Sequence, residues 1–217
     1  MIDLNSLTLY QKKISSYIDE NVLTFPTNSD IASLINPICQ YSITIKTGTT
    51  PNANELCKIN LLKNSKLLEI KNITSKSRTN ANVTFADSDG EYTLNANCDS
   101  SYDSPYNTYP LSNAFTDKLT WLARFTPTQG STPSNVYLNF EMQKLSEIYF
   151  YASWNQKQST KPADYAETCD INVKCNEKEI LNTTVSGLKL FDRIRIVFDS
   201  YNRCHINILN VGSAENM

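Results

Sequence analysis

The sequence predicts a mainly β protein: an antiparallel β-sandwich of jelly-roll type preceded by a short N-terminal α-helix. Three observations predict it. Short segments that alternate apolar and polar residues recur at regular spacing from Asn80 to Val211, and period-two alternation gives a strand one buried and one wet face. No long helical segment separates those strands, which excludes a βαβ fold and leaves a sandwich or jelly roll. The only sustained three-four apolar spacing is confined to the first 24 residues.

In chain order, residues 3–24 predict a helix. Leu4, Leu7, Gln11, Ile14 and Ile18 fall on steps of three and four, the seam pattern of a coiled coil with one polar position. Asp3 caps its start and Pro26 stops it. A run of barely three heptads is unstable alone, so it packs on the chain's own sandwich, on identical subunits, or on a larger assembly. Residues 1–26 are thus read as an attachment or oligomerisation helix. Residues 27–77 come next as a β-rich connecting region or as extra strands, with segments at Gln40–Lys46, Cys57–Leu62 and Lys66–Ile73. Thr47–Asn54 and Lys63–Ser65 read as turns between them. Residues 78–217 form the main sandwich. Its strands are read at Asn82–Ala86, Glu91–Asn95, Leu119–Phe125, Asn135–Met142, Ser146–Ala152, Cys169–Cys175, Glu179–Val185, Asp192–Phe198 and His205–Val211.

Composition narrows the function. The 217 residues are 40% hydrophobic and 19% charged, a globular balance with a net charge of -2. With no basic excess to neutralise phosphates, nucleic acid is excluded as the main partner. No segment reaches the ~20 apolar residues that span a bilayer, so no membrane insertion is expected. Met1-Ile-Asp-Leu-Asn lacks the basic and apolar regions of a secretory signal, and synthesis in a cytoplasm is expected. On that basis the 6 cysteines are expected to be free, mostly buried thiols. None forms a C-x-x-C pair, and with 1 histidine there is no zinc-ligand spacing. The 12 tyrosines suit strands as much as they suit sugar-binding surfaces.

The order of features from Tyr109 to Met142 resembles the discoidin, or coagulation-factor type C, branch of the galactose-binding-like β-sandwiches. Tyr109-Pro110 and Asn113-Ala114-Phe115 are similar to that family's proline-bearing lead and its asparagine-alanine-phenylalanine step. Trp121 and the strand Asn135–Phe140 resemble the family's next elements, as do Ser146–Ala152, Asp170–Val173, the arginine-bearing Asp192–Val197 and Ile206–Gly212. The resemblance covers roughly residues 78–213. It implies a galactose-binding-like sandwich that binds a ligand with its connecting loops and rarely catalyses. The family's closing strand often begins with a glutamate that helps hold a structural calcium. Here that neighbourhood is His205-Ile-Asn207, without an acid, so no cofactor is expected and calcium is kept only as an alternative. Asp87-Ser-Asp89-Gly90 is better explained as an Asp-Gly turn between strands than as a calcium loop.

Catalysis finds no support. His205 is the lone histidine, and its neighbour Cys204 points to the opposite strand face. There is no phosphate loop, dinucleotide fingerprint or nucleophile elbow, so no catalytic residue and no metal site is assigned. Binding is favoured by two loops. The first, Asp99–Tyr109, carries Tyr102, Asp103, Tyr106 and Asn107. The second, Ser153–Tyr165, carries Trp154, Asn155 and Tyr165. Aromatic faces cover the apolar side of a sugar ring, while carboxylates and amides take its hydroxyls. Trp154 is alternatively a lid folded onto the sandwich end, Trp121 a core residue, and strand arginines such as Arg124 and Arg195 partners of nearby acids.

The expectation is a non-enzymatic adhesion or decoration protein at a virion surface, of the kind found in bacteriophage head fibres, capsid decoration or tails. It would be made in a host cytoplasm, act as a homo-oligomer, and meet a host-surface glycan or other virion proteins. Two alternatives stand beside it: a purely structural virion protein whose sandwich contacts neighbouring subunits, and a carbohydrate-binding accessory domain of a larger enzyme.

Overall fold

The computed structural model describes residues 38–47, 55–99, 103–104, 107–108, 110–116, 123–124, 135–152, 167–213 and 216. The expected helix, with Leu4, Leu7, Gln11, Ile14 and Ile18, lies outside them. So do Trp121, Tyr102, Tyr106, Trp154, Asn155 and Tyr165.

The chain forms strands at Cys39–Thr47 (β1), Glu55–Lys63 (β2), Lys66–Leu67 (β3), Glu69–Ser77 (β4), Asn80–Asp87 (β5), Gly90–Cys98 (β6), Asp103–Ser104 (β7) and Asn107–Thr108 (β8). After a 3-10 turn at Leu111–Phe115 come Ala123–Arg124 (β9), Asn135–Met142 (β10), Leu145–Tyr151 (β11), Thr168–Cys175 (β12), Lys178–Ser186 (β13), Asp192–Phe198 (β14) and Cys204–Asn210 (β15). Two antiparallel sheets build the sandwich. One runs β13-β12-β1-β10-β6-β5-β4; the other runs β15-β14-β11-β2-β3, with β9 also on β2. The strands of residues 39–77 belong to these same two sheets: β1 sits between β10 and β12, and β2 pairs with β11.

Alternation drives the layering. Every odd residue of β1 from Cys39 to Thr47 is buried, as is every even residue of β10 from Val136 to Met142. Ile148 and Phe150 of β11, Ile194, Ile196 and Phe198 of β14, and Ile59 and Leu61 of β2 face them from the other sheet in one continuous core. A bulge in β2, at Lys58 with φ 52°, breaks the period. Leu56 and Cys57 are therefore both buried, Cys57 in a small separate cluster with Tyr151. The segment Leu111–Phe115 tucks Leu111, Ala114 and Phe115 into the core, and the Leu111 N–H donates to the Arg78 carbonyl at 2.8 Å.

The two ends of the sandwich differ. At one, connections are short: Asn64-Ser65 joins β2 to β3, and Asn176-Glu177 joins β12 to β13, all four residues at positive φ. Two-residue hairpins favour that left-handed pair because its twist matches the strands. Asparagine tolerates it at small cost, which is how a chain with only 5 glycines makes such turns. One cysteine expectation is corrected at this end. Cys39 and Cys175 form a disulfide between β1 and β12 with Cα atoms 5.6 Å apart, so these two are not free thiols. The β1–β12 pairing brings them together although 136 positions separate them in sequence. Cys57, Cys98, Cys169 and Cys204 are in no disulfide.

Candidate functional site

The register of the sheets locates the stems of both predicted binding loops. Val136 of β10 pairs with Cys98 of β6, and Lys46 of β1 with Asn135. Thr47 pairs with Cys169 of β12, and Tyr151 of β11 with both Cys57 and Arg193. The chain therefore leaves β6 for residues 99–134, and β11 for residues 152–167, at the same end of the sandwich. Of the first loop, the backbone at Asp103-Ser104 pairs antiparallel with that at Asn107-Thr108. Of the predicted ligand-binding residues, only Asp103 and Asn107 fall among the described ones; the other five lie outside them.

The stems are held by polar contacts. The Asp99 carboxylate accepts from the Asn135 backbone N–H at 3.0 Å and from its side-chain amide at 2.9 Å. Burial raises the Asp99 pKa, but these bonds and one from the Tyr137 hydroxyl outweigh it, and the net shift is downward. The Asp192 carboxylate accepts from the Lys189 N–H at 2.7 Å and from the Asn210 amide at 2.6 Å, tying the β13–β14 connection to the end of β15.

The opposite end carries a different polar cluster. Lys63 is only 5% exposed, and its ammonium donates to Asp87 at 3.0 Å, to Asp89 at 2.6 Å and to the Tyr92 hydroxyl. Burial pulls the Lys63 pKa down, yet the bonds to Asp89, Tyr92 and Asp87 move it upward on balance. The Asp87 carboxylate also accepts the N–H groups of Asp89 and Gly90. That is the Asp-Gly turn read from the sequence, and Lys63 supplies its cation. Among the described residues no group of three or more His, Cys, Asp or Glu is placed to hold a metal ion.

Other singled-out residues have structural surroundings. Arg195 forms a two-pronged ion pair with Glu147, the nearby acid expected of a strand arginine. Arg193 lies over the rings of Tyr149 and Tyr151, 4.7 and 5.4 Å from their centroids. Cys204 and His205 are consecutive on β15, His205 exposed and Cys204 half-buried. Burial and the Asp199 carboxylate push the Cys204 thiol up to about 11. Such a thiol is not a nucleophile at neutral pH.

Reasoning from the sequence misses the outer face of the seven-stranded sheet. The outward positions there are almost entirely polar. One row across the strands reads Lys174, Ser42, Asn139, Asn95, Asn82 and Thr74. Above its centre lies an open hollow of about 720 Å³. The polar phase of each strand is visible in the sequence, but the pairing that aligns those phases joins distant segments.

The chain matches no protein-family model, no curated protein and no solved structure. Among the described residues no helix is long and apolar enough to cross a membrane.

Proposed function

We propose that this chain is a recognition module, not an enzyme: a sandwich that holds two aromatic-bearing loops at one end and binds a glycan with them, as discoidin-like domains do. The observation that carries the reading is the common origin of the two loops. Residues 99–134 and 152–167 leave the sheets at one end, while the other end closes in turns such as Asn64-Ser65 and Asn176-Glu177. A rigid frame with its long connections gathered on one side is the arrangement by which loop residues from distant segments meet one ligand. In this reading Tyr102, Tyr106, Trp154 and Tyr165 supply ring faces, and Asp103, Asn107 and Asn155 supply hydrogen bonds. A virion surface, with an N-terminal helix that assembles identical copies, would suit a module whose monovalent sugar binding is weak. Many copies raise avidity by roughly 10²–10⁴ without any new contact.

A glycan array probed with the full chain and with the Trp154→Ala/Tyr106→Ala double variant tests the site. Binding by the parent that the double variant loses supports the reading. Binding that persists undiminished removes these loops from recognition. A parent that binds no glycan, yet contacts other virion proteins, favours the purely structural role.

A further inference from the structure

We infer that the outer face of the seven-stranded sheet carries a second ligand site, a shallow groove for a short linear glycan, separate from the loop end. It shares only its ligand class with the proposed loop site.

The shape comes from side-chain length. Ser42, Asn139 and Asn95, aligned across β1, β10 and β6, make a low floor, with Thr93 beside them. Longer side chains, Gln40, Glu141, Lys174 and Glu177, stand around it. The hollow they enclose has a volume of about 720 Å³, within the usual range for small-molecule sites. Tyr41 and Phe140 also border it, but both residues are buried, 2% and 6% exposed, and their rings stack on each other inside the sandwich.

The chemistry comes from what these groups lack. Toward the edges of this face some polar side chains satisfy one another. Asp99 takes Asn135, Asp170 takes the Thr184 hydroxyl at 2.7 Å, and Glu179 takes the Asn172 amide at 2.6 Å. Within the hollow, the side chains of Gln40, Ser42, Asn95, Asn139, Glu141 and Lys174 make no hydrogen bond or ion pair with another described residue. An amide offers both a donor and an acceptor, and so does each hydroxyl of a sugar, so adjacent amides match adjacent hydroxyls. The floor residues repeat at the ~4.8 Å strand spacing, a repeat comparable to the width of a sugar ring. Two carboxylates against one ammonium disfavour a phosphate backbone. The absence of an outward apolar anchor in the lining disfavours a protein hot spot.

The test is an NMR titration of the ¹⁵N-labelled full chain with maltohexaose, cellohexaose and chitohexaose. The readout is the side-chain amide signals of Gln40, Asn95 and Asn139. With at least one sugar these signals shift, the shift survives in Trp154→Ala/Tyr106→Ala, and Asn95→Ala/Asn139→Ala weakens it about tenfold or more, as the loss of two hydrogen bonds predicts. Asn95→Asp/Asn139→Asp, which keeps side-chain size, guards against misfolding and weakens binding as well. Shifts confined to residues 99–109 and 153–165 overturn the inference and leave the loop reading intact. Shifts confined to the sheet face support it while the loop reading falls. No shift with any of the three sugars overturns it, and the glycan array then decides the loop reading separately. Shifts that follow protein dilution instead of added sugar also overturn it, because a second copy then covers the face.

Discussion

At one end of the sandwich β2 turns back into β3, and β12 into β13, within two residues; at the other, residues 99–134 separate β6 from β10 and residues 152–167 separate β11 from β12. The short-turn end is cross-linked in several ways. The Cys39–Cys175 disulfide joins β1 to β12, Lys63 gathers Asp87, Asp89 and Tyr92, and Asp199 holds the Tyr201 and Arg203 N–H groups. The Tyr41 hydroxyl reaches from one sheet to Asn202 in the β14–β15 turn of the other at 2.9 Å. At the loop end the described polar contacts hold the stems and the β4–β5 turn, where the Asn80 amide donates to the Ser77 hydroxyl at 2.8 Å. If the long connections carry recognition, a division of labour is expected in which the cross-links at the short-turn end contribute most to stability. Substitutions at each end can break that division or sharpen it.

The largest effect is expected from the disulfide. Replacing both cysteines, Cys39→Ser/Cys175→Ser, releases a loop closed over 136 positions, and should lower unfolding free energy by about 3–5 kcal/mol. Urea denaturation measures it. Thiol counting on the denatured, unreduced chain should find four reactive thiols, those of Cys57, Cys98, Cys169 and Cys204. A count of six would return the chain to the all-thiol expectation and remove the strongest cross-link from the short-turn end.

Next is Lys63→Met, which keeps most of the packing but strips the cation from Asp87 and Asp89. With Asp89 60% exposed to solvent, the cost is about 2 kcal/mol, below that of a fully buried pair. The same cluster sets an acid limit. Lys63, the turn N–H and Tyr92 hold the Asp87 carboxyl below its ordinary value of 3.8 against the opposing effect of burial. A depressed carboxyl contributes stability that is present above that ordinary value and lost as pH falls through the lowered one. Asp99 and Asp199 are depressed in the same direction. The parent should therefore lose stability below about pH 4, and Asp87→Asn should flatten that loss. An unchanged acid limb would mean the cluster is not a stabilising one.

A smaller effect, about 1 kcal/mol, is expected for Tyr41→Phe. The ring contacts to Phe140 and Phe198, 5.1 and 5.3 Å between centroids, survive, and only the bridge to Asn202 goes. Chemical denaturation should resolve it, and a neutral result would leave the Lys63 cluster and packing to join the two sheets at this end.

How much of this is legible in the sequence depends on the range of the cause. Strands set by alternation are readable nearly to the residue: Asn135–Met142 and Asp192–Phe198 have the bounds that alternation predicts. So is the Asp87–Gly90 turn, whose asparagine- or aspartate-bearing chemistry is local. The partners across strands are not readable. Nothing near Lys63 in sequence announces Asp87 and Tyr92, nothing near Cys39 announces Cys175, and the aligned Ser42, Asn139 and Asn95 come from three separate segments. Sheet pairing sets those meetings, and alternation says which face a residue takes but not which strand lies beside it. The loop site is legible only as composition, rings beside amides in long connections; the fold adds that both connections start from one end.

The smallest effect on stability is expected for the loop variant Trp154→Ala/Tyr106→Ala. If loops carry recognition and turns carry stability, this double substitution should change unfolding free energy by less than about 0.5 kcal/mol while glycan binding disappears. The paired measurement, denaturation beside array binding on the same sample, separates the possibilities better than either alone. A large loss of stability would make Trp154 the lid of the sandwich, packing on the end that Leu111, Ala114 and Phe115 already plug, and the two ends would then differ in length of chain but not in purpose. Unchanged stability with unchanged binding would keep the division of labour but move recognition elsewhere, with the polar face over Ser42, Asn95 and Asn139 the next surface to test.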